Sequence, residues 1–106
     1  MDKTRIENED QDNRKYRVLI NGENFLFEVD GKLQKTGFYT TRFVEARNPE
    51  EAEEIAIALI KEDPKLSGIV LNEGSDPAML YAEEIEEVRK LEQQLGYAFY
   101  SEEGGG

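Results

Sequence analysis

The sequence predicts an α+β fold, a two-layer sandwich in which a mainly antiparallel sheet packs against one main helix. Two observations carry this prediction. The run Phe38–Ala46 is dense in aromatic and β-branched residues, which is typical of a strand. Directly after it, Asn48 and Pro49 mark the start of a helix. The order of strands and helix favours the ferredoxin-like, split βαβ kind of sandwich, with a right-handed crossover if the flanking strands are parallel.

The first third of the chain predicts one strand and the outline of a second. Tyr16–Ile20 is predicted to be a strand in which Tyr16, Val18 and Ile20 share one face. The pair Asn21-Gly22 is a turn signal, and the run Phe25–Val29 is a short second strand closed by the hairpin signal Asp30-Gly31. Alternatively, Glu23-Asn24 opens a loop that only holds the two phenylalanines against the core.

The helix is predicted from Pro49 to Glu62, because Pro64 ends it. Asn48 supplies the N-cap, and two glutamates follow at the positive end of the helix dipole. The apolar stripe expected to face the sheet consists of Ala52, Ile55, Ala56 and Leu59. Ile57 and Ile60 widen this stripe, so we expect the C-terminal segment or another subunit to cover that flank.

The second half of the chain predicts further strands. Ser67–Asn72 is the strand that would complete the crossover, and a turn follows it. The next segment fits two interpretations, because its apolar residues suit a helix from Asp76 to Gly96 and also alternate as in a strand. We favour a strand over Met79–Val88 and a short helix over Arg89–Leu95. Tyr97–Tyr100 is a last short strand or an apolar tether.

Length and polarity predict a single domain over residues 16–100. The preceding residues 1–15 and the following residues 101–106 are polar and lack the apolar side chains that would offset the entropy of ordering them. We therefore expect a disordered N-terminal tail and a flexible C-terminal one.

The charge of −11 is concentrated in the second half of the chain, where residues 48–106 carry 4 basic and 15 acidic side chains. Such a surface repels phosphate, so we expect no nucleic-acid partner. No apolar run reaches the roughly 18 residues of a membrane span, and the charged N-terminus lacks the apolar region of a signal peptide. We expect a soluble, cytoplasmic protein that does not bind membranes.

The chain contains no histidine, cysteine or tryptophan. It therefore lacks an imidazole base, a thiolate nucleophile and the nitrogen or sulfur ligands that zinc, copper and iron prefer. Its glutamate pairs are typical of a solvated surface rather than of a hydrolytic site. We expect no catalytic residues, no metal and no cofactor, and we predict that the protein is not an enzyme.

The sheet face opposite the helix is predicted to carry an apolar patch of Leu19, Tyr39, Thr41 and Phe43. Adjacent residues of a strand point to opposite faces, so the pairs Phe38-Tyr39 and Phe43-Val44 cannot both be buried on one side. Exposed patches of this kind usually mark contact surfaces. Three alternatives stay open: residues 89–100 fold back over the patch, a second chain covers it, or it lines a small cleft.

Polar residues among the apolar ones suggest a second kind of site. Arg17 and Arg42 would suit a carboxylate or phosphate if neighbouring strands brought them together, and Asn24 stands beside them as a polar candidate. Alternatively, Arg42 pairs with Glu28 or Glu45 across the sheet. The favoured interpretation is a small association module that forms a homodimer or binds a protein partner. A small-ligand or anion-binding sensor that uses the two arginines is the alternative.

Overall fold

The computed structural model describes residues 13–93 and 96–102. It confirms the α+β class: a four-stranded antiparallel sheet in the order β3-β1-β2-β4 packs against one main helix. The elements are β1 (Arg14–Val29), β2 (Lys32–Ala46), α1 (Pro49–Lys61), α2 (Pro64–Ser67), β3 (Met79–Val88) and β4 (Tyr97–Ser101). The sheet therefore begins just inside the predicted N-terminal tail, whose residues 1–12 lie outside the described part, as do residues 103–106.

A long hairpin of β1 and β2 forms the centre of the sheet, and the predicted hairpin signal at Asp30 and Gly31 is confirmed as its turn. The expected turn at Asn21-Gly22 is wrong, because β1 runs through it as one strand with a bulge between Gly22 and Phe25. Gly22 is needed here for close packing. A Cβ at this position would lie 2.5 Å from the ring of Phe38, which is fully buried.

Helix α1 starts where the sequence predicts. The side chain of Asn48 accepts a hydrogen bond of 2.8 Å from the backbone N–H of Glu51, and Pro49 occupies the first turn. The carboxylate of Glu51 in turn accepts from the backbone N–H of Arg47. The cap hydrogen bond satisfies an N–H group that the first turn of the helix leaves without a partner, and the bond from Arg47 ties the residue before the cap to that turn.

We expect Asn48→Ala to lower the free energy of unfolding by about 1 kcal/mol, because the cap hydrogen bond to Glu51 is lost. Urea denaturation followed by circular dichroism measures this change. The matched control is Glu50→Ala, which leaves the Asn48 cap in place. A loss no larger in Asn48→Ala than in the control would contradict a role for this cap.

The face that α1 buries differs from the predicted stripe. Ala52 and Ala56 are buried as expected, but the third buried position is Ile60, while Leu59 is 41% exposed. Ile55 lies at the margin of the core. The helix is therefore rotated so that Ile60, rather than Leu59, packs into the core against the sheet.

The strand expected over Ser67–Asn72 is not formed. Asp63 caps the short helix α2 instead, Leu66 is buried, and the chain then runs without regular structure alongside the bulged part of β1. There the side chain of Asn72 accepts from the backbone N–H of Leu26 at 2.8 Å, while Leu71 donates its N–H to the Leu26 carbonyl. The Asn72 side chain thus makes the hydrogen bond that a neighbouring strand would make. All strand pairings in the described residues are antiparallel, so the parallel crossover of a ferredoxin-like topology is not formed there.

The ambiguous segment after residue 78 is a strand, as favoured: β3 covers Met79–Val88 and pairs antiparallel with β1. The expected last strand is confirmed as β4, which pairs antiparallel with β2. The helix expected over Arg89–Leu95 is wrong for residues 89–93, which have no helical turn; residues 94 and 95 lie outside the described part.

The core lies between α1 and one face of the sheet, which we call the inner face. It contains Tyr16, Val18, Ile20, Phe25, Phe27, Phe38, Val44, Ala46, Ala52, Ala56, Ile60 and Leu66. The opposite side of the sheet is the outer face. Neither of the two helices in the described residues is long and apolar enough to span a membrane.

Candidate functional site

The four residues of the predicted patch share the outer face. The register of β1 and β2 places Leu19 opposite Thr41, with Phe43 and Tyr39 on the same side because they lie two residues on either side of Thr41. Thr41 and Phe43 are buried, Leu19 is half-buried and Tyr39 is 41% exposed. The chain itself therefore covers one end of the patch, and the end at Tyr39 is the accessible one.

A group of tyrosines that the sequence analysis did not single out continues the outer face beyond Tyr39. Tyr100 of β4 packs against Tyr39 with ring centroids 5.6 Å apart, and its hydroxyl accepts a hydrogen bond of 3.1 Å from the buried amide of Asn21. Tyr81 of β3 lies directly opposite Asn21, and a hydrogen bond with Glu23 raises its pKa to about 12. The alternation of β4 would have placed Tyr100 on one face, but nothing in the sequence indicates which strand it adjoins.

The structure does not bring Arg17 and Arg42 together. They lie on neighbouring strands but on opposite faces, since Arg17 is paired with Phe43 rather than with Arg42. Arg17 lies on the outer face, where its guanidinium contacts Glu84 at 3.4 Å and Glu86 at 3.3 Å. These ion pairs are exposed and contribute little to stability.

Arg42 lies on the inner face and is buried, which the sequence analysis did not foresee. Its guanidinium donates to the hydroxyl of Thr40 at 2.6 Å and lies 3.6 Å from the carboxylate of Asp63. It also lies over the ring of Tyr97, 5.2 Å from the centroid. Instead of the expected pairing with Glu28 or Glu45, Arg42 contacts Asp63, the N-cap of α2, and Tyr97 of the edge strand β4.

Tyr97 joins this group to β4. Its hydroxyl donates to Asp63 at 2.7 Å and accepts from Arg42 at 3.2 Å, while the Thr40 hydroxyl donates to the carbonyl of Gly96 at 2.8 Å. The hydrogen bond from Tyr97 is the largest of the causes that hold the pKa of Asp63 below its usual value of 3.8. Burial, followed by the bond to Asp63, raises the pKa of Tyr97 to about 12. This network fixes the start of the edge strand β4 to the body of the protein.

We expect the Tyr97–Asp63 hydrogen bond to stabilise the fold between about pH 4 and pH 10 and to weaken outside that range. A lowered pKa of Asp63 stabilises the folded state above 3.8 and loses this effect as the pH falls through the folded value. A raised pKa of Tyr97 stabilises it below 10.0 and loses this effect as the pH rises toward about 12.

Equilibrium denaturation of the parent and of Asp63→Asn at pH values inside and outside this range tests the expectation. The difference in the free energy of unfolding between the parent and Asp63→Asn is predicted to be largest near neutral pH. It should shrink in acid, because the Asp63 carboxylate of the parent is then protonated. Asp76→Asn is the comparison variant. The pKa of Asp76 is also lowered, but the largest cause is its hydrogen bond with Lys35 rather than one with Tyr97. A difference between the parent and Asp63→Asn that does not change between pH 7 and acid would contradict the assignment.

Asn24, the remaining predicted polar candidate, has a structural role at the bulge of β1. Its backbone is in the left-handed region, with φ 62°, and its side chain donates to Asp76 at 2.8 Å and to the carbonyl of Pro77 at 3.1 Å. Its backbone N–H donates to the carboxylate of Glu102, and Lys35 completes the cluster with a contact of 2.9 Å to Asp76. These polar groups satisfy one another and hold residues 72–77 against the hairpin.

The two edge strands of the sheet differ sharply in charge. The edge strand β3 carries Glu83, Glu84, Glu86 and Glu87, all exposed. The opposite edge strand β4, with the sequence YAFYS, has no charged side chain. It exposes Ala98 and about half of the Phe99 side chain. The inner side of Phe99 contacts the rings of Phe27 and Phe38.

Within the residues that the structure describes, no group of three acidic side chains is placed to hold a metal ion. No known family model matches the chain, and neither a curated protein nor a solved structure is significantly similar to it. The chain's own surface is therefore what indicates its function.

Proposed function

We propose that the protein is an association module that pairs with a second copy of itself through the β4 edge of the sheet. The observation that carries this proposal is the contrast between the edges: four exposed glutamates on β3, and an uncharged β4 that exposes half of Phe99. Charged side chains on an edge strand prevent pairing with other chains, whereas an uncharged apolar edge is a template for such pairing.

The geometry of β4 suits a symmetric pair. Two copies of one strand that pair antiparallel are related by a two-fold axis, which is the commonest symmetry of homodimers. The contacts that hold β4 from behind are already formed, because Tyr97 binds Asp63 and the Phe99 ring packs on Phe38. The edge is therefore ordered before it meets a partner, which lowers the entropy cost of association.

Size and charge predict that this association is weak. β4 has only 5 residues, so strand pairing alone buries less surface than a standard interface of about 1,600 Å². Each copy also carries a charge of −11, and the two copies repel each other over distances that salt shortens. Higher ionic strength should therefore strengthen the dimer, in contrast to an interface held by ion pairs.

Sedimentation velocity over a range of protein concentrations tests the proposal. We expect the apparent mass to rise from 12.2 kDa toward twice that value with concentration, and to do so at lower concentration in about 0.5 M salt than in about 0.05 M. Ala98→Lys should suppress this rise, since a lysine on the edge disfavours strand pairing and Ala98 is already exposed.

Gln93→Lys is the matched control, because it makes the same change in charge at an exposed position outside both edge strands. It should associate at least as well as the parent. A mass that stays at that of one chain at millimolar concentration in high salt would refute the proposal. An Ala98→Lys variant that associates like the control would refute the role of β4.

The alternative of a sensor for small anions has less support. It required Arg17 and Arg42 to face one ligand, and they lie on opposite faces of the sheet. Each guanidinium also contacts carboxylates of the protein already, Arg17 on β3 and Arg42 at Asp63.

A further inference from the structure

A cavity of about 450 Å³ lies between the C-terminal half of α1, the short helix α2 and the first residues of β3. Its lining is mostly apolar and includes Phe25, Ile57, Leu66, Val70 and Leu80. The volume falls within the range of small-molecule sites, about 300–1,000 Å³. The cavity shares no lining residue with β4, so a ligand here would act apart from the proposed dimer edge.

Lys61 is the one charged residue in this lining, and Ser67 is the one hydroxyl. In the described part of the chain no carboxylate forms an ion pair with Lys61, although acidic residues outnumber basic ones by 24 to 13. Several other described lysines and arginines also lack an ion pair, but Lys61 is the one that lines the cavity. Lys61, an exposed residue in the last turn of α1, therefore lines an apolar cavity and has no ion-pair partner among the described residues.

We propose that this cavity binds a small amphipathic carboxylate, with an apolar chain inside and the carboxylate at the Lys61 ammonium and the Ser67 hydroxyl. Apolar walls favour an alkyl or similar chain by removing it from water. The single cation selects the charge of the head group, because a neutral head gains less and a cationic head is repelled. The net charge of −11 opposes the approach of any anion, so the positive charge of Lys61 and the apolar contacts have to outweigh that repulsion here.

Titration of the full chain with decanoate, kept below the concentration at which it forms micelles, tests this proposal. We expect saturable 1:1 binding by calorimetry, and amide chemical-shift changes in NMR spectra confined to the residues around Leu66, Ala78 and Leu80. Decanol and decylamine of the same chain length should bind more weakly. Equal or tighter binding of decylamine would overturn the assigned ligand charge.

Two variants locate the site. Lys61→Gln should weaken decanoate binding roughly fivefold to tenfold, the effect of losing one charge-assisted contact. The matched control, Lys65→Gln, removes the same charge from a residue outside the lining and should leave binding within about twofold. Equal losses in both variants would show that only net charge matters and would overturn the role of Lys61.

Ala78→Phe fills the cavity from its wall and should abolish binding. If that variant does not fold, the amide chemical-shift changes of the parent protein test the proposal instead. Shift changes spread over the whole chain, or no saturable change at millimolar decanoate, would overturn it. Sedimentation of the parent with and without decanoate keeps the two proposals apart. If decanoate does not bind, self-association can still be measured, and if the protein does not self-associate, decanoate binding can still be measured.

Discussion

Phe38→Ala is expected to lower the free energy of unfolding by about 3–5 kcal/mol, the usual cost of removing a buried phenylalanine ring. Phe38 is fully buried, and its ring contacts Phe25, Tyr97 and Phe99 with centroids between 5.0 and 5.8 Å apart. It also packs against the bulge of β1 at Gly22, where its ring occupies the space that a side chain on residue 22 would need. Its removal leaves a cavity between the central hairpin and β4.

Urea denaturation at equilibrium measures this loss, and Phe99→Ala is the matched control. Phe99 is also an aromatic residue of the inner face, but it is half exposed, so its loss should cost less than half as much. The two variants should also differ in association, because Phe99→Ala removes exposed surface of the edge itself. Equal destabilisation by both changes would contradict the larger contribution expected of the buried Phe38 ring.

Ile60→Ala is expected to cost about 2–5 kcal/mol, whereas its neighbour Leu59→Ala should cost less than about 1 kcal/mol. Both changes remove similar apolar volume from the same turn of α1. Ile60 is fully buried against the core, but Leu59 is 41% exposed. Thermal and urea denaturation of the two variants compare the two faces of the helix directly. A larger loss in Leu59→Ala would show that α1 is rotated back toward the stripe that its sequence suggests.

Local signals in the sequence determined a large part of the fold. The capped start of α1, the turn at Asp30 and Gly31, and strand β3 were all predicted, because each depends on residues close together in the chain. Alternation along β1 and β2 also placed the four patch residues on one face. Side chains in a strand point alternately to either side, so grouping Tyr39, Thr41 and Phe43 needs no knowledge of the partner strand, whereas adding Leu19 of β1 depends on the register.

Contacts between distant residues decided the rest. The segment 67–72 has the composition of a strand, but Asp63 and Pro64 start a helical turn before it and the amide of Asn72 takes the hydrogen bond that a strand would supply. The phase of α1 could not be predicted either. Its apolar residues are spread over more than one face, and only the surface of the sheet beneath it determines which of them are buried.

The candidate sites belong mostly to this second group. Arg42 and Asp63 meet because β2 and the end of α1 are packed together, and Tyr97 joins them from the far edge of the sheet. The order β3-β1-β2-β4 is what leaves the uncharged strand at one edge and the glutamates at the other. The sequence by itself determined the start of α1, the hairpin turn and the alternating faces of the strands, since those follow from local backbone geometry. The tertiary structure alone decided which charges are neutralised, which edge is exposed and where a cavity remains, because these depend on the packing of elements far apart in the chain.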